Sequence, residues 1–430
     1  MNQTRTIKVE NIARIEGEGK LLIKVRHSEV EAVHLDIFEP PRFFEAFLKG
    51  RHYKEVPDMV SRICGICPVA HQMSSIHALE QILGVTIDPQ VRALRRVLYL
   101  GEWLESHALH VHMLHAPDFV GTTDVIQMTK TYPEEVQRGI KLKKLGHEIM
   151  TVLGGRAVHP INVRVGGFYK SPKKADLADL IERLKWGKEA ALDTIRWVST
   201  LPFPEYEQEY EFVSLQHPDE YPVNEGRLIS SQGLDIPMSA YEEHFVEEQV
   251  ANSNALHSRV KERGAYLVGP LARFNLNFDK LAPIAQQAAQ EAGLNGTCNN
   301  PFKSIIVRSI EALHICDESL RLLENYEEPD KSAVDTEPRA GKGYSCTEAP
   351  RGLLYHYYEL DEQGLVKSAQ IIPPTAQNQN KIEEDLFRFV SENLEMPKSQ
   401  MTAKCEQTIR NYDPCLSCAT HFLKLEFDEE

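Results

Sequence analysis

The chain has 430 residues, 42% of them hydrophobic and 26% charged, which is ordinary for a globular protein with a substantial core. Its 48 basic against 63 acidic residues leave a net charge of −15 with no basic stripe, which argues against nucleic-acid or anionic-membrane binding. No apolar run reaches the roughly 18 to 20 residues that span a bilayer, and Met1–Gly19 lacks the apolar core of a signal peptide. A cytoplasmic location is therefore expected, unless a partner carries an export signal.

Residues 20 to 38 alternate, with Leu21, Ile23 and Val25 on one face and Val33, Leu35 and Ile37 two apart, so they predict a hairpin or small sheet. Phe44 to Gly50 predicts a short helix, and another runs from about Val69 to Leu83. Leu94, Val97, Leu98, Gly101, Leu104, Ala108 and Val111 recur at three- and four-residue steps, marking a long helix that stops before Pro117. Further helices follow Pro133, to about Leu153 with Gly154-Gly155 as the stop, and Pro172, to about Leu201. Residues 204 to 232 read as strands and loops. Helix is predicted again over Met238 to Glu262 and Pro301 to Leu323, with an irregular connection over 326 to 345. Gly352 to Ile372 predicts strands around a turn at Asp361 to Gly364, Ile382 to Leu394 a helix, and a last helix precedes Asp413. The expected class is α+β, mainly α, with a long central helix bundle and small peripheral β-sheets. A single integrated domain over 1–430 is expected, because the motifs described next lie near its opposite ends.

Eight cysteines are too few for a disulfide scaffold, and four of them come in pairs. Arg62-Ile-Cys-Gly-Ile-Cys-Pro-Val-Ala-His71 and Asp413-Pro-Cys-Leu-Ser-Cys-Ala-Thr-His421 each offer two thiols at Cys-x-x-Cys spacing with a histidine downstream. Cys64, Cys67, Cys415 and Cys418 thus form a candidate set of four soft ligands. Pro68 and Pro414 suit helix starts, where unpaired N–H groups and the positive end of the helix dipole favour thiolate. On spacing alone a structural zinc, an iron–sulfur cluster and another redox metal all stay open. Cys298, Cys316, Cys346 and Cys405 have no partner spacing and read as small buried residues. His107, His110, His112 and His115 spread over about 200° of an α-helix at 100° per residue, too wide for one ion, so packing is the expected role.

The residues around the pairs resemble the large, catalytic subunit of nickel–iron hydrogenases. Arg-x-Cys-Gly-x-Cys-x-x-x-His stands at 62–71 and Asp-Pro-Cys-x-x-Cys-x-x-His at 413–421. Arg14-Ile-Glu-Gly17, Phe44-Glu45 with Gly50-Arg51, the histidine-rich helix ending at Asp118, Gly154-Gly-Arg with His159-Pro160 and Gly166-Gly167, and Glu348-Ala-Pro-Arg-Gly352 agree. The similarity spans essentially the whole chain.

That resemblance implies a nickel held by all four thiolates, with Cys64 and Cys415 terminal and Cys67 and Cys418 bridging to an iron that carries carbon monoxide and cyanide. It implies reversible heterolytic oxidation of dihydrogen, with the Cys415 sulfur taking the proton and Glu16 relaying it. Asp118, Arg351 and Asp413, with Pro350 beside them, match a charged canopy in which two carboxylates fix the arginine. Arg62, His71 and Thr375 match residues around the metals, His71 against a bridging sulfur and Thr375 near a cyanide. Glu45 and His421 match ligands of a magnesium or iron ion near the carboxyl terminus.

Pro374-Thr-Ala-Gln-Asn378 differs from the stretch in membrane-linked uptake members and is similar to the cytoplasmic, bidirectional group. The run Arg62 to Gln72 resembles NAD(P)-linked heterotetrameric members, sometimes called sulfhydrogenases. No cysteine motif remains for an iron–sulfur wire. The implied partners are therefore an iron–sulfur small subunit, diaphorase subunits that bind flavin and NAD(P), and ferredoxin-like subunits. A maturation protease and a nickel chaperone are also implied. Many members are cut after the histidine matching His421, so residues 422–430 raise the question of a maturation-cleaved tail. A non-catalytic relative, such as the quinone-pocket subunit of respiratory complex I, and a zinc-stabilised scaffold are the alternatives.

Overall fold

A computed structural model of the chain describes residues 4–27 and 29–420. Helix makes up 47% and strand 19%, so the mainly helical α+β class holds. The first alternation becomes an antiparallel sheet of strands Thr4–Val9, Gly19–Arg26 and Glu29–Ile37, in that order. Leu21, Ile23, Val25, Val33, Leu35 and Ile37 are buried, while Lys24 and Arg26 face outward.

Helix Pro89–Leu109 packs along Pro133–Gly154, and Ser304–Glu324 packs against both Ala178–Val198 and Pro89–Leu109. The first pair approaches closely because glycines face each other. A Cβ on Gly146 would stand 2.5 Å from the carbonyl oxygen of Gly101, which no side chain tolerates. Local sequence fixes the helix ends. Asp88 accepts the Gln90 N–H at the start of one helix, and Gly155 closes the next with φ 86°.

The long helix does not stop before Pro117. It passes from Pro89–Leu109 into one π-helical turn, His110–His115, and on to Ala116–Phe119. Pro117 follows directly on the π turn, the kind of ladder irregularity that accompanies a proline inside a helix.

Met238 to Glu262 is not the expected helix. Two short turns, Met238–Ala240 and Tyr241–His244, lead into an antiparallel hairpin of Phe245–Gln249 and Leu256–Val260. Its apolar residues recur at steps of two as well as of four, and tertiary packing decides between them. Tyr241 stacks on Phe245 and on Tyr355 of strand Gly352–Leu360, so distant aromatic packing anchors this segment. Helices Pro270–Asn277 and Pro283–Glu291 occupy an interval without a sequence assignment.

The predicted irregular connection over 326 to 345 ends early, at strand Gly341–Ala349, which pairs with Gly352–Leu360 and through it with Val366–Ile372. Ala349 faces Gly352 across the first pair, so Pro350 and Arg351 form a two-residue hairpin tip. This tip, the start of helix Pro68–Leu83 and the segment after helix Lys398–Arg410 converge on one place.

Candidate metal centre

Cys67 caps the amino end of helix Pro68–Leu83, and Cys64 lies in the turn before it. The buried carboxylate of Glu102 accepts the Val69 and Ala70 N–H groups at 2.5 and 3.0 Å, satisfying two otherwise orphaned donors of that helix end. Cys415 and Cys418 come from the segment after helix Lys398–Arg410, which ends in the turn Ser417–Ala419. Arg42 ties the two stretches together by donating to the carbonyls of Ile63, at 2.7 Å, and Ser417.

All four sulfurs are buried and lie within 4.8 Å of one another. Cys64 Sγ is 3.6 Å from Cys415 Sγ, and Cys67 Sγ is 3.8 Å from Cys418 Sγ. Cys415 and Cys418 are joined as a disulfide, so service as thiolate ligands requires that pair in its reduced form. The donor set suits a soft metal: four sulfurs converge, and no other such group of metal-ligating side chains occurs among the described residues. The hydrogen bond from Cys67 pulls the Cys64 thiol down and pushes Cys67 up. Ile66 and Cys67 N–H groups also donate to Cys64 Sγ, at 3.3 and 3.2 Å.

Arg351 stands over this cluster, 3% exposed. Its Nε donates to the Asp413 carbonyl at 2.7 Å and lies 3.1 Å from Oδ2, and its Nη2 reaches Oδ1 at 3.2 Å. Burial works against its charge, yet Asp413 and the cysteines raise it, so it stays protonated. Asp413 adopts a left-handed φ of 52°, a conformation aspartate tolerates better than most residues. Pro350 lies beside Arg351 in the hairpin tip.

Glu16 pairs its backbone with Cys415 in an isolated parallel bridge, and its carbonyl accepts the Leu416 N–H at 3.0 Å. Its carboxylate accepts from the Ser417 hydroxyl, and from the Ser417 N–H at 3.2 Å. Thr375 Oγ1 accepts the Cys415 N–H at 2.9 Å. His71 is buried with Nδ1 3.2 Å from His356 Nε2, and His356 Nδ1 is 2.8 Å from the Tyr358 hydroxyl.

Three placements differ from the sequence reading. Asp118 does not share Arg351 with Asp413. Both its oxygens are held by Arg410, and Arg14 joins them. Burial pushes its carboxyl up, but the Arg410 pair outweighs that and holds it low. Arg62 is exposed and binds Asp58 and His159 at 2.9 and 3.2 Å, with no hydrogen bond to the sulfurs among the described residues. The π turn invalidates 100° per residue for the histidines. His110 and His115 pack with ring centroids 4.9 Å apart and planes tilted by 47°, in keeping with the expected packing role. Glu45 is half-buried and accepts the Ile371 N–H at 2.7 Å. His421 and the tail lie outside the described residues.

Sequence reasoning missed Ser417, Glu102 and Arg42. Only Ser417 had a local signal, its place inside the second Cys-x-x-Cys pair.

Residues 42–141 and 238–421 match the family described as nickel-dependent hydrogenase. Sulfhydrogenase 1 subunit alpha of Pyrococcus furiosus is 33% identical over 425 residues, 97% of this chain and 98% of that protein. The NAD-reducing hydrogenase HoxS subunit beta of Cupriavidus necator is 28% identical over 98% of this chain and 95% of its own length. Among solved structures, an NAD+-reducing [NiFe]-hydrogenase in the H2-reduced state superposes with a TM-score of 0.90 at 27% identity. That match covers 98% of this chain and 100% of the other.

Proposed function

The chain belongs to the nickel-dependent hydrogenase family as a catalytic large subunit, and from that premise we propose that Cys64, Cys67, Cys415 and Cys418 hold a nickel–iron centre serving reversible dihydrogen oxidation. The observation that carries this reading is the convergence of four buried sulfurs within 4.8 Å beneath a buried arginine. Held by these four sulfurs, such a centre, with carbon monoxide and cyanide on its iron, would supply the Lewis acidity for heterolytic cleavage of dihydrogen.

The remaining work falls to the chain. The Cys415 sulfur receives the proton, and Glu16, bridged to the same backbone, receives it next. The Ser417 hydroxyl, hydrogen-bonded to Glu16, orients that carboxylate. Arg351, held charged in a buried site, stabilises developing negative charge near the sulfurs, and Asp413 fixes its plane. Thr375 holds the Cys415 backbone, and His71 tunes the basicity of a bridging sulfur. Glu45 and His421 bind the magnesium or iron ion near the carboxyl terminus.

Electrons leave to an iron–sulfur small subunit and from there, through flavin, to NAD(P). The docking face for that subunit is the lip around Arg62 and Gly65, next to the exposed Val158, Ile161 and Tyr169. His159 Nε2 lies 3.1 Å from the Cys64 carbonyl at its edge.

Metal analysis and dihydrogen-dependent reduction of NAD and NADP by the purified complex test the proposal. One nickel per large subunit, iron in excess of nickel because the partner clusters contribute to it, and turnover are expected. Zinc without nickel, or nickel without dihydrogen oxidation, sinks it. The intact mass of the large subunit in active enzyme decides whether residues 422–430 are removed.

A further inference from the structure

Arg351 donates hydrogen bonds to Asp413, and its Nη1 has no hydrogen-bond partner among the described residues. Asp413 fixes the plane of the guanidinium, and the hairpin tip that carries Arg351 sets where its side chain starts. That tip is clamped by a second, fully buried arginine on helix Pro270–Asn277.

All five N–H groups of Arg273 are used. Nε donates to Glu311 Oε1 at 2.8 Å, and Nη2 to Glu311 Oε2 at 2.9 Å and the Pro350 carbonyl at 3.0 Å. Nη1 donates to Glu348 Oε2 at 3.1 Å and the Ala349 carbonyl at 2.9 Å. Trp103 takes the preceding carbonyl: its Nε1–H donates to Glu348 O at 2.8 Å, and its ring face lies 4.0 Å from the Arg273 guanidinium carbon. The next backbone unit rests against Gly269, where a Cβ would come within 2.6 Å of the Arg351 carbonyl. Three successive carbonyls leading to Arg351 are thus each held by a buried donor. A purely structural ion pair with Glu311 would use only two of those five N–H groups.

Resting on the role given to Arg351 above, we propose that Arg273 is a positioning residue that aims the Arg351 guanidinium over the cysteine cluster by clamping the carbonyls of Ala349 and Pro350. Lysine in its place keeps the charge but cannot fork onto Glu311 and two carbonyls at once.

The test compares Arg273→Lys, Arg351→Lys, the double variant and Trp103→Phe in the purified complex. Nickel content, kcat, KM for dihydrogen and the infrared bands of the iron's diatomic ligands are read for each. At full nickel content, Arg351→Lys lowers kcat about 100-fold. Arg273→Lys lowers it about tenfold with KM unchanged and shifts the infrared bands in the same sense. The double variant is no worse than Arg351→Lys, because the second change acts through the first. Trp103→Phe, a milder change, lowers kcat about threefold in the native background and not in Arg351→Lys. Losses that multiply in the double variant overturn the proposal, as does wild-type turnover in Arg273→Lys. If Arg273→Lys does not assemble, a Trp103→Phe loss that persists in the Arg351→Lys background overturns it. Wild-type turnover in Arg351→Lys instead refutes the role of Arg351 itself.

Discussion

Arg410 grips both carboxylate oxygens of Asp118, Nε on Oδ2 at 2.7 Å and Nη2 on Oδ1 at 2.8 Å. Arg410 also donates to the Ala13 carbonyl at 2.9 Å, so this pair ties the π-turn region to the segment leading to Glu16. Its role is structural: Asp118→Ala leaves a buried arginine without its partner and costs about 3–5 kcal/mol. Urea unfolding measures that loss, while kcat per bound nickel stays near wild type. A stable Asp118→Ala enzyme with collapsed turnover per nickel would contradict this.

The same residue shows where sequence reading stops. The four cysteines were legible because metal ligation imposes spacing that survives in one dimension. Asp118 carried a position in a familiar segment but no sign of its partners, since Arg14 and Arg410 come from opposite ends of the chain. Glu16 had no periodic or spacing signal of its own, since its meaning comes from a backbone bridge to Cys415. Arg273 and Glu102 were invisible for the same reason. The helices beginning at Pro68 and Pro133 were read well because proline and glycine mark their ends locally. Met238 to Glu262 was not, because its pattern fits two periods and distant aromatic packing chose one. The π turn at His110–His115 was lost to the assumption of 3.6 residues per turn.

Glu102 gives a second test. Its carboxylate accepts two N–H groups at the start of the helix that follows Cys67. Burial raises its pKa well above the usual range. Glu102→Gln places an NH2 group against one of those donors, leaving a buried N–H unpaired at a cost of about 1–3 kcal/mol. Because that helix carries Cys67, nickel is lost faster to a chelator than from the native complex. Unchanged nickel retention with unchanged stability would refute the capping role.

The buried histidines make stability fall in acid. Burial holds His112 and His115 down to about 3 and His107 and His314 down to about 4, against an ordinary 6.5. As pH drops below 6.5 the unfolded chain binds protons that the folded chain does not accept until about 4 or 3. Unfolding therefore takes up protons in that window, and each ring lowers stability by at most about 1.4 kcal/mol per pH unit. His112 stacks on Trp197 at 5.6 Å, so His112→Phe keeps the contact and removes the titration. Thermal unfolding across the acid range should show a shallower slope for the variant. An identical slope would show that His112 is protonated in the folded state already near neutrality.

Glu311 and Glu348 share one arginine and are predicted to differ sharply. Glu311 accepts two Arg273 bonds, the Tyr221 hydroxyl at 2.8 Å and the His107 contact at 2.8 Å. Burial raises its pKa, but Arg273 overrides that and holds it well below the carboxylate range. Glu348 has a single Arg273 bond and the Leu215 N–H, and burial pushes it up to about 7. One guanidinium cannot neutralise two carboxylates, and the second pays the desolvation cost. Glu311→Gln therefore breaks a buried pair and costs about 3–5 kcal/mol, whereas Glu348→Gln keeps an acceptor for one neighbour and costs about 1 kcal/mol. The pH dependence separates them further. A folded-state value of about 7 against an ordinary 4.5 means the folded chain keeps its proton longer, so between those values this group's contribution falls as pH rises. Glu348→Gln has no such loss, and its stability relative to wild type improves from acid toward neutral pH. Unfolding of both variants at several pH values decides the matter: equal losses, or a Glu348→Gln deficit that grows with pH, would mean that Glu348 is the ionised partner of Arg273.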